Sequence, residues 1–153
     1  MKNGKVTDII PAPAAEVFAL LHNYDRRLEW DTLLSSARLD SEFPAAAKGA
    51  VSTCRGRWAL GGIALRTRYV TFHPGEVAAV EMVNRPAFFD TFAASIRHRN
   101  VPEGGSEITY QFRFSARPVW LRKVLEPVMA RIFRWETGKR LKALRAWFQN
   151  RKA

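Results

Sequence analysis

Asp90 is the first candidate for chemistry because its position alternates with aromatic residues. In an extended strand, Asp90 would share one face with Phe88 and Phe92. A carboxylate on an apolar face costs free energy unless it is paired, and burial raises its pKa. Asp90 would therefore anchor a ligand hydroxyl or act as an acid, or it would lie half-solvated at a strand start beside an arginine. His98 has the same parity, either as a base or as a satisfied histidine at the rim.

Glu136 and Arg140 form a second candidate pair, four residues apart in a segment with helical periodicity. Arg140 falls near the centre of an apolar arc, between Phe133 and Leu144. On this reading the two charges point into a cavity as an ion pair. The alternative is that both side chains reach solvent along their long stems.

The sequence has no motif for metal, nucleophilic or phosphate chemistry: no HExxH, CxxC or GxSxG, and no glycine-rich loop that opens a helix. We therefore expect neither a metal nor a cofactor. The single Cys54 excludes an intrachain disulfide, and its default role is a small buried thiol. Tyr69 and Tyr110 either offer hydroxyls to a ligand or fill space, so acid–base chemistry stays open. His22 and His73 are interpreted as helix-surface and turn residues.

The elements that must position these side chains follow from the apolar periodicity. Residues 5–10 predict a first strand, which ends at Pro11. From Ala14 to Leu28 the spacing predicts an amphipathic helix, and residues 30–34 predict a short helix or an irregular turn. Six further segments with Gly and Pro turns between them predict an antiparallel meander. They span residues 36–42, 50–60, 63–73, 77–84, 88–101 and 107–117.

A long helix is predicted at the end of the chain, where the period returns to 3.6. Residues 119–126 form a first piece, Pro127 kinks the helix or starts a new one, and residues 128–151 complete it. Its apolar face must be buried, and the concave face of the meander is the only large apolar surface available. The prediction is an α+β fold in which a curved antiparallel sheet wraps around a long C-terminal helix. The apolar face comprises Ala130, Phe133, Thr137, Leu141, Leu144 and Phe148.

The two ends of the chain add a resemblance to a known family. The chain opens with IIPAPAAEVFALLHNYDRRLEWDTLL, a strand, a proline-bounded turn, an amphipathic helix and the aromatic–acidic pair Trp30-Asp31, and it ends with LEPVMARIFRWETGKRLKALRAWF. Both stretches resemble the START-like superfamily, also called SRPBCC, in its polyketide cyclase/dehydrase-like branch. The resemblance implies a helix-grip fold around a cavity for lipids, sterols, polyketides or other hydrophobic molecules. That fold hosts cyclases, hydrolases and non-enzymatic carriers, so it does not choose among them.

Side chains on the concave face are the candidate ligand-binding residues. An apolar pocket with a few polar anchors is the usual form of a small-molecule site, and the alternative is that these side chains pack on the helix as a solid core. The candidates are Trp58, Tyr69, Met82, Phe88, Asp90, Phe92, His98, Tyr110, Phe112, Phe133, Thr137 and Arg140.

Length and hydropathy describe the class of protein. The 153 residues suit a single domain, 1–153, that needs no disulfide or metal for stability. Residues 1–7 lack the apolar region of a signal peptide, and no stretch approaches the roughly 20 apolar residues of a membrane span. One cysteine fits a reducing compartment. These features predict a soluble, cytoplasmic protein.

The charge of the chain points to a partner outside any cavity. Lys and Arg number 25 against 14 Asp and Glu, a net charge of +11, and such an excess favours an anionic partner. The alternative is a soluble protein with an arginine-rich composition, since the charges are spread along the chain. Trp135 falls on the basic side of the last helix, where an aromatic side chain suits a membrane interface or a nucleic-acid surface. The alternative is a solvated face with Trp135 partly covered. The outer positions of the sheet collect Arg55, Arg57, Arg66, Arg68, Arg97, Arg99, Arg113 and Arg117.

Three functions follow from these features. The leading hypothesis is binding or transport of a small hydrophobic ligand (a lipid, polyketide or isoprenoid-like molecule) in an internal cavity. The second is an aromatase/cyclase-type enzyme, which predicts that Asp90, His98 or the Glu136–Arg140 pair converges in the cavity. The third is a basic module that docks on RNA, the ribosome or an anionic membrane with salt-sensitive affinity. The oligomeric state stays open.

Overall fold

The computed structural model of the protein describes residues 2–40, 42–57 and 62–152, and Trp58 lies outside them. The helices are α1 (Ala14–Leu21) and α2 (Arg122–Lys152), with 3-10 turns at Tyr24–Glu29 and Val119–Leu121. The strands are β1 (Lys2–Ile10), β2 (Leu34–Leu39), β3 (Val51–Gly56), β4 (Ala64–His73), β5 (Val77–Met82), β6 (Phe89–Asn100) and β7 (Ser106–Ala116).

These strands form one antiparallel sheet in the order β1-β7-β6-β5-β4-β3-β2. Consecutive strands from β2 to β7 are neighbours, as a meander requires, and β1 joins β7 at the far edge. The sheet curls into a half-barrel, and α2 follows β7 and packs against β1 and β7. The predicted α+β fold, a curved antiparallel sheet around a long C-terminal helix, is confirmed.

The predicted apolar face of α2 is buried in two clusters. Toward the end of the helix, Leu141 and Leu144 pack with Ile10 and Ile108. Nearer its start, the ring of Phe133 lies with its centroid between 5.4 and 5.8 Å from those of four other phenylalanines. The four are Phe89, Phe92, Phe112 and Phe114.

The first helix is shorter than its apolar spacing predicts. The helix α1 ends at Leu21, and the side chain of Asn23 accepts a hydrogen bond from the Asp25 N–H at 3.2 Å, which starts the 3-10 turn. A side chain that bonds to the nearby backbone offers an alternative to a helix. The prediction of helix as far as Leu28 is therefore wrong, and the short helical element lies before Trp30 rather than after it.

From Arg122 onward the two helical pieces predicted at the end of the chain form one helix, with Pro127 inside it, and Val119–Leu121 form a 3-10 turn before it. Pro127 removes a single backbone donor, the one that would bond to the carbonyl four residues earlier, and the helix continues beyond it. Among the described residues no helix combines the length and the hydropathy needed to cross a membrane.

The alternation predicted for β6 is wrong at its start. Phe88 lies before the strand with a φ of 71°, in the left-handed region, and the pairing with β7 shifts between Phe89 and Thr91. A bulge of this kind inserts an extra residue, so that positions three apart share a face. Phe89 and Phe92 are both buried, and Asp90 does not share their face.

Arg117 holds the bulged segment in place. Its guanidinium donates to the carbonyl oxygens of Phe89 at 2.8 Å and Pro86 at 3.1 Å, and also to that of Arg85. Its backbone N–H donates to the carbonyl oxygen of Phe88 at 3.1 Å. The sequence placed Arg117 on the outer face of the sheet, and its role in fixing this segment had no sequence signal.

Candidate functional site

A cavity of about 340 Å³ lies between the concave face of the sheet and α2. Most of its lining is apolar and comes from β3 to β6, from the bulged segment and from the first half of α2. Phe88 and Ile132 both line the cavity and are 51% and 47% exposed, so the cavity reaches the surface beside them. A cavity of this size lies within the range of small-molecule sites.

A buried ion cluster lies at the inner part of the cavity. The Arg27 Nε donates to Asp31 Oδ2 at 2.8 Å, and the Arg140 Nη2 donates to the same oxygen at 2.9 Å. The Asp31 side chain is 0% exposed, and the two arginine side chains are 8% and 10% exposed. Arg27 and Arg140 line the cavity, whereas Asp31 does not. Two guanidiniums thus share one carboxylate, which leaves an excess positive charge beside the cavity.

Local sequence explains how Asp31 reaches this position. Arg27 and Asp31 stand four residues apart, and the Asp31 N–H donates to the Arg27 carbonyl at 3.0 Å at the end of the 3-10 turn. The other carboxylate oxygen accepts the Leu33 N–H at 3.0 Å, a turn typical of aspartate that leads into β2. Arg140 comes from α2, 109 residues further along the chain.

The cluster stays ionised over the physiological range of pH. Burial alone would raise the pKa of Asp31, but the charges of Arg140 and Arg27 outweigh burial and hold that pKa below its ordinary value. Burial alone would lower the pKa of Arg27, and likewise that of Arg140, yet the Asp31 carboxylate raises both above the ordinary arginine value.

A chain of neutral hydroxyl and imidazole groups adjoins the cluster. The Tyr69 hydroxyl lies 2.7 Å from the Tyr24 hydroxyl and 2.8 Å from His22 Nδ1. Burial raises the pKa of both tyrosines, and burial followed by the charge of Arg27 lowers the pKa of His22 well below its ordinary value. All three side chains line the cavity and are uncharged at neutral pH. They can donate or accept hydrogen bonds but carry no charge to a ligand.

Glu136 adds a carboxylate to the cavity wall, one helical turn before Arg140. Glu136 and Arg140 both line the cavity, as one of the two predicted alternatives has it. The ion pair that this alternative expected between them is wrong. Glu136 lies 3.4 Å from Lys139 Nζ and 3.8 Å from Arg57 Nη2, whereas Arg140 pairs with Asp31. Two partly exposed cations therefore lie beside the single negative charge of Glu136.

Six of the twelve sequence candidates line the cavity. They are Tyr69, Phe88, Phe92, Tyr110, Phe133 and Arg140. Phe112 and Thr137 lie in the packed core instead, and Met82 packs against the phenylalanine cluster around Phe133. Their positions fit the alternative of a solid core. Trp58 is the candidate that lies outside the described residues.

Asp90 and His98 lie away from the cavity lining. The bulge turns Asp90 away from the buried phenylalanines, and it pairs with Arg85 and, at 3.5 Å, with Arg122, as its strand-start alternative predicted. His98 is buried rather than at the rim, with its ring 5.4 Å from that of Phe18, and burial lowers its pKa to about 4. The cyclase hypothesis therefore loses these two candidates.

Sequence reasoning missed five polar side chains of the cavity, namely Arg27, Tyr24, His22, Ser52 and Thr67. His22 is buried against Tyr69, so its interpretation as a helix-surface residue is wrong. That error follows from the helix end at Leu21, since the chain turns there and carries His22 inward. The spacing of four between Arg27 and Asp31 was the available signal for the ion pair. Within the described part of the chain, no group of three His, Cys, Asp or Glu side chains is arranged to hold a metal ion.

Comparisons with known proteins agree with this architecture. Residues 1–149 match the family described as polyketide cyclase / dehydrase and lipid transport. The Zhui aromatase/cyclase from Streptomyces sp. R1128 superposes with a TM-score of 0.80 and 14% identity, covering 99% of this chain and 96% of that one. A START superfamily protein from Mycobacterium smegmatis superposes with a TM-score of 0.76 and 8% sequence identity, with 97% of each chain covered. At such identities the likeness shows the fold alone. No match was found among curated proteins.

Proposed function

Because the chain belongs to the polyketide cyclase / dehydrase and lipid transport family, we propose that its cavity binds or carries a small hydrophobic ligand, of lipid, polyketide or isoprenoid-like character. The observation that carries this proposal is a mostly apolar lining that includes the buried side chains of Arg27 and Arg140. Apolar walls supply affinity by burying ligand surface, and a few placed polar groups fix its orientation.

Native mass spectrometry of freshly purified protein, followed by solvent extraction, is the direct test. We expect a bound apolar molecule, and we expect added 1-decanol to bind with a stoichiometry of one to one. Cys54 lines the cavity, so Cys54→Phe should fill part of it and weaken decanol binding by at least tenfold. Val70 on β4 is 39% exposed and does not line the cavity, so Val70→Phe is the matched control and should bind decanol normally. Absence of both a co-purified ligand and decanol binding would refute the proposal.

An aromatase/cyclase-type reaction is a second candidate, favoured by the Tyr24–Tyr69–His22 chain. A hydroxyl that keeps its proton inside an apolar cavity can donate a hydrogen bond to a carbonyl oxygen as negative charge develops there. A linear poly-β-ketone thioester analogue should then give a cyclised product with the natural protein. Tyr69→Phe should abolish product formation while the analogue still binds. Binding without turnover in the natural protein would count against this candidate.

Docking on an anionic membrane is a third candidate, favoured by an apolar stripe on the outside of the 3-10 turn and α2. Its members recur at helical spacing and are between 47% and 79% exposed. The exposed cations Arg131 and Lys142 lie on the same side of the helix at about 100° per residue. Ile132 belongs both to this stripe and to the cavity wall. The stripe comprises Trp120, Val124, Val128, Ile132 and Trp135.

Co-sedimentation with vesicles tests this third candidate. We expect binding to vesicles that contain phosphatidylglycerol, weaker binding at high salt, and little binding to vesicles of phosphatidylcholine alone. Replacing Trp120 and Trp135 by Ser should remove the binding without unfolding, since both side chains are largely exposed. Retention on RNA with no vesicle binding would favour nucleic acid instead and refute the membrane proposal.

A further inference from the structure

The charges around the inner part of the cavity do not balance. Arg27 and Arg140 share the single carboxylate of Asp31, and all three side chains are at least nine-tenths buried. Glu136 lines the same cavity and its side chain is 9% exposed, and it pairs with two partly exposed cations, Lys139 at 3.4 Å and Arg57 at 3.8 Å. Taken by themselves, Arg27, Asp31 and Arg140 carry a net charge of +1, and the carboxylate of Glu136 has cations of its own beside it. An uncompensated charge inside a protein is costly, so it calls for an anion.

The geometry also leaves hydrogen-bond donors for that anion. A guanidinium has five N–H donors. Arg27 donates hydrogen bonds from Nε and Nη1, and Arg140 donates from Nε and Nη2. In the described part of the chain this leaves Arg27 Nη2 and Arg140 Nη1 to donate to a ligand. The two arginines line the cavity, whereas Asp31 does not. A planar carboxylate matches the fork of an arginine and accepts two parallel hydrogen bonds from it.

The apolar part of the cavity extends from this charged part along α2. Met129, Phe133, Glu136 and Arg140 all line the cavity, and the rise of 1.5 Å per residue places Arg140 about 16 Å beyond Met129 along the helix axis. The cavity of about 340 Å³ has the volume of roughly eleven water-sized groups, at about 30 Å³ each. A chain the size of a medium-length fatty acid therefore fits between the phenylalanines and the arginines.

We propose that the cavity selects a hydrophobic carboxylic acid in its ionised form, with its carboxylate on Arg27 and Arg140 and its apolar tail along the phenylalanine-lined part. This proposal rests on the ligand-binding function proposed above and adds the chemical class of the ligand. A singly charged carboxylate matches the net charge of the cluster, whereas a phosphate monoester with a charge near −2 exceeds it.

A series of probes with the same tail and different head groups separates this proposal from the general one. Isothermal titration calorimetry at physiological salt would compare decanoate, 1-decanol and decylamine. We expect decanoate to bind at least tenfold more tightly than decanol, because a charge-assisted hydrogen bond replaces a neutral one, and decylamine to bind most weakly. Equal affinities for decanoate and decanol, or a preference for decylamine, would overturn the carboxylate proposal and leave the apolar cavity standing. No binding of any probe would overturn both.

A variant shows whether the selectivity arises at the cluster. Arg27→Met leaves Asp31 paired with Arg140 and removes the excess charge, so the ratio of decanoate to decanol affinity should fall toward one. Arg27→Lys keeps the charge and should retain most of that ratio. Arg97→Met removes the same charge from an exposed position on β6 and is the matched control, with the ratio unchanged. If Arg27→Met kept the full ratio, or Arg97→Met lowered it as much, decanoate would be binding outside the cluster and the proposal would fail.

Discussion

Asp31→Asn is the substitution that tests the buried cluster most severely. Asn keeps the size of the side chain but removes the negative charge on which both arginines depend. Asp31 is 0% exposed and receives guanidinium hydrogen bonds at 2.8 and 2.9 Å, so no solvent compensates for the loss. Breaking a buried ion pair costs about 3–5 kcal/mol, and we expect a value toward the upper end because two pairs are lost together. At about 2–4 °C per kcal/mol, the melting temperature should fall by roughly 10–20 °C.

Urea unfolding followed by circular dichroism measures this loss, and Asp90→Asn is the matched control. Asp90 also has two arginine partners, but its side chain is 32% exposed, and a pair of that kind contributes about 0–1 kcal/mol. The same chemical change should therefore have a severalfold smaller effect at Asp90. If both variants lost the same small amount, below about 1 kcal/mol, the reasoning about a buried, shared carboxylate would be wrong.

The pH dependence gives a second readout of the same substitution. The pKa of Asp31 is lowered in the folded protein, so its stabilising contribution is complete above the unfolded aspartate pKa of about 4 and is lost as the pH falls through the lower folded value. The free-energy difference between the natural protein and Asp31→Asn should accordingly be constant near neutral pH and shrink only in acid below about pH 4. A difference that already declines between pH 7 and 5 would point to another titrating group.

Other predictions concern the buried histidine and two glycines. Burial lowers the pKa of His98 to about 4. As the pH falls below about 6.5, this histidine takes up a proton in the unfolded chain but not in the folded protein, so the free energy of unfolding decreases down to about pH 4. In urea titrations, His98→Phe should remove roughly 3 kcal/mol of this decrease, and substitution of the exposed His73 by Phe should not. A Cβ on Gly4 would lie 2.4 Å from the buried ring of Phe112, so Gly4→Ala should lower the free energy of unfolding by about 1–3 kcal/mol. A Cβ on Gly138 in α2 would meet open space, so Gly138→Ala should raise the free energy of unfolding by about 0.5–1 kcal/mol. Equal effects of the two substitutions would contradict the packing argument.

The fold was predictable from the sequence because its signals are local and periodic. The apolar spacing of Phe133, Leu141, Leu144 and Phe148 identified the buried face of α2, and the glycine and proline turns separated the strands. Where local hydrogen bonds compete with that period, the prediction failed. The side chain of Asn23 ends the first helical segment early, although the apolar spacing continues beyond it.

The candidate site was less predictable because its charged groups pair across the whole chain. Arg140 was placed on the inward arc by its spacing, but its partner Asp31 lies 109 residues away and no periodicity connects the two. The bulge at Phe89 to Thr91 had no signal either, since alternating aromatic residues continue across it. The buried contact between His22 and Tyr69 likewise depends on where the chain turns after α1.

The cluster of Arg27, Asp31 and Arg140 serves either to hold the fold together or to bind a ligand, and a triple substitution separates these roles. A buried ion network is weak evidence for stability, because hydrophobic residues of similar volume often replace such a network without loss. Arg27→Met, Asp31→Leu and Arg140→Met combined should therefore unfold within about 2 kcal/mol of the natural protein, unlike Asp31→Asn alone. The triple variant should still bind decanol but lose its preference for decanoate, because the charge that attracts the carboxylate is gone. A stable triple variant that kept this preference would show that the anion binds elsewhere, whereas an unfolded one would show that the cluster is needed for the fold itself.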